Sequence, residues 1–156
     1  MESVSSTAYL LQHTAIMMLR QSDQVLQERL GIGMSQYRIL MLLQSDPAMR
    51  QRKLADRLGQ TEASISRQIK LLSEKGFLVV GVNPKSRREH RMELTPKGVK
   101  ITEAAKDVLD GVNRPVTDSL SEKQRKQLAE ALAVLHERTC APGRPFACDH
   151  SYKIEV

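Results

Sequence analysis

The stretch from Gln51 to Gly98 constrains this chain more than any other. It reads LADRLGQTEASISRQIKLLSEKGFLVV from Leu54, and then GVNPKSRREHRMELTPKG. Gln51 to Leu58 sets Leu54, Ala55 and Leu58 on one side, which predicts a short helix, and Gly59 suits a left-handed C-cap. Thr61 can cap the next helix, which runs to about Lys75, because its hydroxyl can accept from a free N–H of the first turn. Ile65, Ile69 and Leu72 recur at i, i+4 and i+7 and turn inward. Ser64, Arg67, Gln68 and Leu71 then face away, with Ser66 and Lys70 at the flank, and Gly76 closes the helix. Phe77 to Val82 is apolar and β-branched and reads as a strand. Arg91 to Thr95 alternates and reads as its partner, with Asn83 to His90 as the turn between them.

Two helices on a tight turn, followed by a basic hairpin, describe a winged helix-turn-helix. A major groove admits one helix, and its base edges are read by hydrogen bonds. The outward face of the second helix offers Ser64, Ser66, Arg67, Gln68 and Lys70. Gln can pair with adenine, Arg with guanine, and Ser with several edges or a phosphate. The helix N-terminus at Thr61 presents free N–H groups that suit a phosphate. The hairpin carries Lys85, Arg87, Arg88 and Arg91 against one acid, Glu89. Arg side chains there suit a narrow minor groove, where the negative potential is enhanced. Each feature alone is compatible with a solvated polar surface. Their order and spacing point to DNA.

The flanking segments are helical. Thr7 to Leu30 contains no Pro or Gly, and Leu11, Ala15, Met18, Leu19, Val25, Leu26 and Leu30 share a stripe. Leu10, Ile16 and Met17 lie outside that stripe, so the helix needs more than one partner surface, its own domain and a second subunit. A buried helix in a monomer is the alternative. Gly31-Ile32-Gly33 ends it, Ser35 reads as an N-cap, and Tyr37 to Gln44 forms a short helix stopped by Asp46-Pro47. Pro96 stands at a helix start. Ile101, Ala104, Ala105, Val108, Leu109 and Val112 continue one face until Pro115, which should kink or end the helix. Ser121 with Gln124 forms a capping box for a last helix bearing Leu128, Ala131, Leu132 and Leu135. Periodicity stops after about Arg138. The expected organisation is a mainly α chain with a small β wing. The winged helix-turn-helix occupies about 34–98, dimerisation helices about 7–30 and 97–138, and a tail 139–156.

The residue balance bears on partners. Lys plus Arg number 24 against 18 acids, a net charge of +6, which favours a polyanion without identifying one. Aromatics are 3% with no Trp, which argues against a stacking platform for single strands. No run of 18 apolar residues occurs, MESVSSTAYL lacks the basic start and apolar stretch expected of a secretory signal, and the two cysteines lie near the end. The expectation is a cytoplasmic protein without a membrane partner.

With these residues in view, the chain resembles the MarR family of bacterial winged-helix regulators, from about Leu10 to Leu135. The match is carried by LADRLGQTEASISRQIKLLSEKGFL, by NPKSRREHRMELTPKG, and by Met34-Ser35-Gln36-Tyr37-Arg38-Ile39-Leu40 at the family's second helix. The family's wing reads Asp-Pro-x-Asp-Arg-Arg and ends Leu-Thr-x-x-Gly. Here Asn83 and Ser86 replace the two acids that help orient the wing arginines, and Leu94-Thr95-Pro96-Lys97-Gly98 follows. The resemblance implies a homodimer built from the first helix and the last two. It implies a palindromic operator in double-stranded DNA, with the 61–75 helices in successive major grooves and Arg87 or Arg88 in the flanking minor groove. A small-molecule or oxidant effector would bind between the dimerisation helices and the DNA-binding lobe. Expected, then, is a transcriptional regulator, a repressor and not an enzyme, relieved by its effector. The alternative is an architectural DNA-binding protein with little sequence preference.

Other signals are weaker. Cys140, Cys148, His136 and His150 match no common zinc spacing, so no metal or cofactor is expected. A redox switch at those cysteines is a further alternative to an inert tail. Pro142-Gly143-Arg144-Pro145 resembles the core of a minor-groove hook but lacks flanking basic residues. His13 lies near the region implied for the effector, and an ordinary surface or core histidine is the simpler reading. Met17, Met18, Met41 and Met49 could line an adaptable pocket, though plain core is the simpler reading.

Overall fold

The computed structural model describes residues 6–83 and 86–141, with side chains outside 82–90. The elements are α1 Thr7–Leu30, α2 Met34–Ser45, α3 Gln51–Leu58, α4 Glu62–Glu74, β1 Leu78–Asn83, β2 Ser86–Leu94, α5 Pro96–Asp118 and α6 Glu122–Thr139. The core joins α2, α3, α4, the hairpin and the inner faces of α1 and α5. Leu26, Ile39, Leu40, Leu43, Leu54, Ile65, Leu72, Leu78 and Met92 are all sealed within it. Burial of these side chains contributes roughly 1.5–3 kcal/mol each, which makes this lobe the stable body of the chain.

Local chemistry sets most boundaries. Thr61 caps α4 by accepting from Ser64 N at 3.1 Å, and Ser121 caps α6 through the reciprocal bond pair with Gln124. Gly31, Gly59 and Gly76 adopt φ of 65°, 60° and 73°, the left-handed region where a Cβ is costly, and so turn the chain after three helices. At Thr95 the hydroxyl accepts from Gly98 N (3.0 Å) and donates to the Gly76 carbonyl (2.7 Å), while Pro96 occupies the first turn of α5. One residue thereby caps α5 and pins it to the end of α4.

Three boundaries differ from the sequence reading. Ser35 is not the cap of α2. The helix starts at Met34, with Gly33 as its cap. Asp23 Oδ1 of α1 accepts from Met34 N at 2.7 Å and serves the orphan donor from another helix, so no local hydroxyl is needed. Gly33 is buried there, and a Cβ on it would come within 2.9 Å of Gln27 Nε2. The turn expected over Asn83 to His90 is shorter, because β2 already runs from Ser86. Val82 pairs with His90 and Asn83 with Ser86 across a local irregularity. Pro115 neither ends nor interrupts α5, which continues to Asp118. Pro115 and Gly111, its i−4 neighbour, are both exposed, so water can serve the carbonyl that the proline cannot.

The outer helices are poorly covered within the protomer. On α1 only Ser22 and Leu26 are buried, while Leu10, Leu11, Ile16, Met17 and Leu19 are exposed. No residue of α6 is buried, and Leu128, Leu132, Val134 and Leu135 face outward. Of the methionines weighed as a pocket lining, Met49 is core, Met18 is half-buried, and Met17 and Met41 are exposed, so plain core describes only one of these four. No helix among the described residues is long and apolar enough to cross a membrane, and none of their His, Cys, Asp and Glu residues group as a metal site. The tail from 142, with Cys148, His150 and the Pro142-Gly143-Arg144-Pro145 segment, lies outside the described residues.

Candidate nucleic-acid interface

The α4 helix buries Ile65, Ile69 and Leu72 and turns its other sides out. Ser66, Arg67 and Lys70 are exposed, Ser64 and Gln68 are half-exposed, and Leu71 lies bare at the C-terminal end of the same surface. The expected outward set is therefore brought together on one face. Thr61 spends its hydroxyl oxygen on Ser64 N, which leaves the other N–H groups of the first turn pointing out of the helix end. Those groups and the positive pole of the dipole favour an anion at that end.

Several side chains on this face are already engaged. Ser64 Oγ donates to Gln60 Oε1 at 3.1 Å, so Ser64 offers a ligand its lone pairs and not its proton. Lys70 stands 3.9 Å from Glu74, with both groups exposed, so the pairing is weak and readily exchanged for a phosphate. Arg91 lies on β2 with its Nε 2.6 Å from Glu93 Oε1, and both are exposed on the outer side of the hairpin. That pair engages Nε, and the guanidinium keeps further N–H donors on its terminal nitrogens. Lys85, Arg87 and Arg88 lie outside the residues with described side chains. The backbone places positions 87 and 88 on β2, beyond the Val82–His90 pair, at the far end of the hairpin.

The structure adds residues the sequence reading missed. Gln51 Nε2 donates to the Glu62 carbonyl at 3.2 Å, which sets the start of α3 beside the first turn of α4. Arg52 and Lys53 of α3 are exposed, with Lys53 Nζ 3.5 Å from Asp46 Oδ2. Their signal was present as the alternation of cations with Leu54, Ala55 and Leu58 along α3. Gln60 and Lys75 were also passed over, since Ser35, Gly31 and Gln36, which they reach, are distant in sequence.

Residues 30–89, from the end of α1 into β2, match the MarR family model. Over those residues the chain is similar to the MarR family. The matched residues take in α2, α3, α4, β1 and the start of β2. A Thauera aromatica protein ascribed transcriptional regulation of the hcr operon is 25% identical over 108 residues, 69% of this chain. The match spans 65% of that relative's length, just under two thirds. Among solved structures, a MarR/EmrR family transcriptional regulator from Acinetobacter sp. ADP1 superposes with a TM-score of 0.72 at 26% identity. It covers 84% of this chain and 92% of that one. The Staphylococcus aureus MepR–DNA complex gives a TM-score of 0.75 at 24% identity, over 85% and 98% of the two chains, a likeness of fold. The expected MarR resemblance and winged helix-turn-helix architecture are thus shown.

Proposed function

We propose that this chain is a sequence-specific transcriptional regulator, a repressor that binds a palindromic operator as a homodimer and is relieved by an effector. The observation that carries this reading is the outward face of α4, with Ser66, Arg67, Gln68 and Lys70 beside a Thr61-capped N-terminus, within the residues that match the MarR family model. Arg67 and Gln68 read base edges, and Lys70, Ser66 and the N-terminal amides hold phosphates. Arg87 and Arg88 enter the minor groove from the wing, with Lys85 and Arg91 on the adjoining backbone. The relatives named above, a DNA complex and a family regulator, support the same role for this chain.

Two further observations support the assembly and its control. The outward apolar side chains of α1 and α6 form the surface on which a second copy pairs. Pairing sets two α4 helices about 34 Å apart, one turn of DNA. A groove between α1 and α2 is lined by Leu19, Arg20, Asp23, Met34, Arg38 and Gln60. Its guanidinium groups with an apolar wall suit a small acidic effector. A ligand that prefers another helix spacing weakens DNA binding by its differential affinity, typically about 1–3 kcal/mol.

The test is selection of bound duplexes from a random pool, repeated with Gln68→Ala. A palindromic consensus, with preference relaxed at one base pair per half-site by about 1–3 kcal/mol, is the expected outcome. Equal loss on all sequences would move the protein to the architectural class.

A further inference from the structure

Both ends of α4 are tied to one short piece of backbone. At the N-terminal end Gln60 accepts from Ser64 Oγ (3.1 Å) and donates from Nε2 to Ser35 Oγ (3.0 Å). At the C-terminal end the Lys75 ammonium donates to the Gly31 carbonyl (2.6 Å) and to Gln36 Oε1 (3.4 Å). Gly31, Ser35 and Gln36 all belong to the corner where α1 gives way to α2. That corner is rigid: Ile32 is fully buried, Gly31 is left-handed, and Asp23 grips Met34 N. Lys97 Nζ, at the start of α5, adds a bond to the Lys75 carbonyl at 2.9 Å.

We propose that Gln60 and Lys75 are positioning residues for DNA recognition, which fix the roll and slide of α4 against the α1–α2 corner without touching the duplex. The proposal rests on the reading of α4 as the recognition helix. Apolar contact through Ile65, Ile69 and Leu72 holds α4 in place but is non-directional, so it leaves small rotations of the helix weakly opposed. Hydrogen bonds are directional. One at each end removes the rotations that a single one would leave. The Lys75 ammonium sits near the negative end of the α1 dipole, where a cation is favoured. A displacement of the corner reaches both ends of α4 together, and the helix moves as a rod. The groove lined by Asp23, Met34, Ser35 and Gln60 lies on the N-terminal tie, so a ligand there competes for the groups that hold α4.

The test uses the full chain with Lys75→Met, which keeps the stem and removes the ammonium, and Gln60→Leu, which keeps bulk and removes both bonds. Affinity is measured for a duplex selected from the random pool and for an unrelated duplex of equal length. Each variant is expected to lose about tenfold on the selected duplex, to keep its affinity for the unrelated one, and to keep its salt slope. Lys75→Arg is expected to restore most of the loss, since a guanidinium can reach the same two acceptors. Hydrogen exchange without DNA is expected to quicken over residues 62–75 and to stay unchanged over 101–109. Equal losses on both duplexes, or a salt slope lowered by about one phosphate, would make Lys75 a DNA contact and overturn the proposal. Unaltered selectivity with unaltered exchange would overturn it too. A wild-type chain that binds no duplex would instead defeat the functional reading, while the exchange measurement still decides whether these side chains hold α4.

Discussion

A Cβ at position 98 would stand 1.9 Å from the Phe77 carbonyl oxygen. That oxygen accepts from Thr95 N at 3.0 Å, so it cannot retreat without breaking the junction between α4, the hairpin and α5. Gly98→Ala is expected to lower stability by about 3 kcal/mol or more, measured by urea denaturation, because backbone and not a flexible side chain must yield. The Leu94–Gly98 motif was visible in the sequence, but the reason for its glycine was not, since Phe77 is supplied by a different element. Tyr37 allows a second test at this scale. Burial first, and the Asp110 carboxylate second, push its phenol pKa above the ordinary 10.0. The folded state therefore holds that proton more tightly than the unfolded one. Its contribution is intact below pH 10 and is lost as pH rises from there through the raised folded value. Tyr37→Phe is expected to flatten the alkaline fall in stability over that window, and an unchanged pH profile would refute the assignment.

Among elements, the α4 face and the wing differ in how far the sequence alone describes them. The α4 face was legible because three apolar residues at helical spacing leave only one outward set, and a helix read in the right phase places every side chain. The wing was less so. Its turn was expected over Asn83 to His90, whereas β2 starts at Ser86. Strand pairing across a hairpin is decided by register and irregularities, which short charged runs such as SRREHR do not encode. Arg87→Ala with Arg88→Ala is expected to weaken binding to every duplex alike and to reduce the salt slope by about two phosphates, checked by titration at several salt concentrations. An unchanged slope would take the arginines off the DNA. In α5 the helix does not end at Pro115, because the one hydrogen bond lost there falls on an exposed turn where water can serve the freed carbonyl.

For the whole molecule, the apolar side chains left outside the core argue for a second copy. Leu132 is 38% exposed in the protomer and carries no core packing there. Leu132→Asp is expected to leave the protomer folded and to weaken the dimer by about 3 kcal/mol or more, about 100-fold, seen by sedimentation. A variant that sediments as the wild type would remove α6 from the interface. Deletion of residues 139–156 is expected to leave the dimer intact, since the apolar members of α6 all precede Thr139. A monomer after that deletion would assign the tail a part in pairing.

The sequence alone determined what neighbours within a turn or two decide: where α3, α4 and α6 begin, the Thr61 and Ser121 caps, the left-handed Gly59, the helix ends at Gly31 and Gly76, and which face of α4 is polar. These follow from side-chain period and from hydrogen bonds that span three or four residues. Only the tertiary structure decided that Asp23 would cap α2 in place of Ser35, that Gly98 must lie against Phe77, and that Lys75 would reach Gly31, 44 positions away. Such contacts depend on how packed helices bring distant residues side by side, and a linear pattern carries no record of that distance.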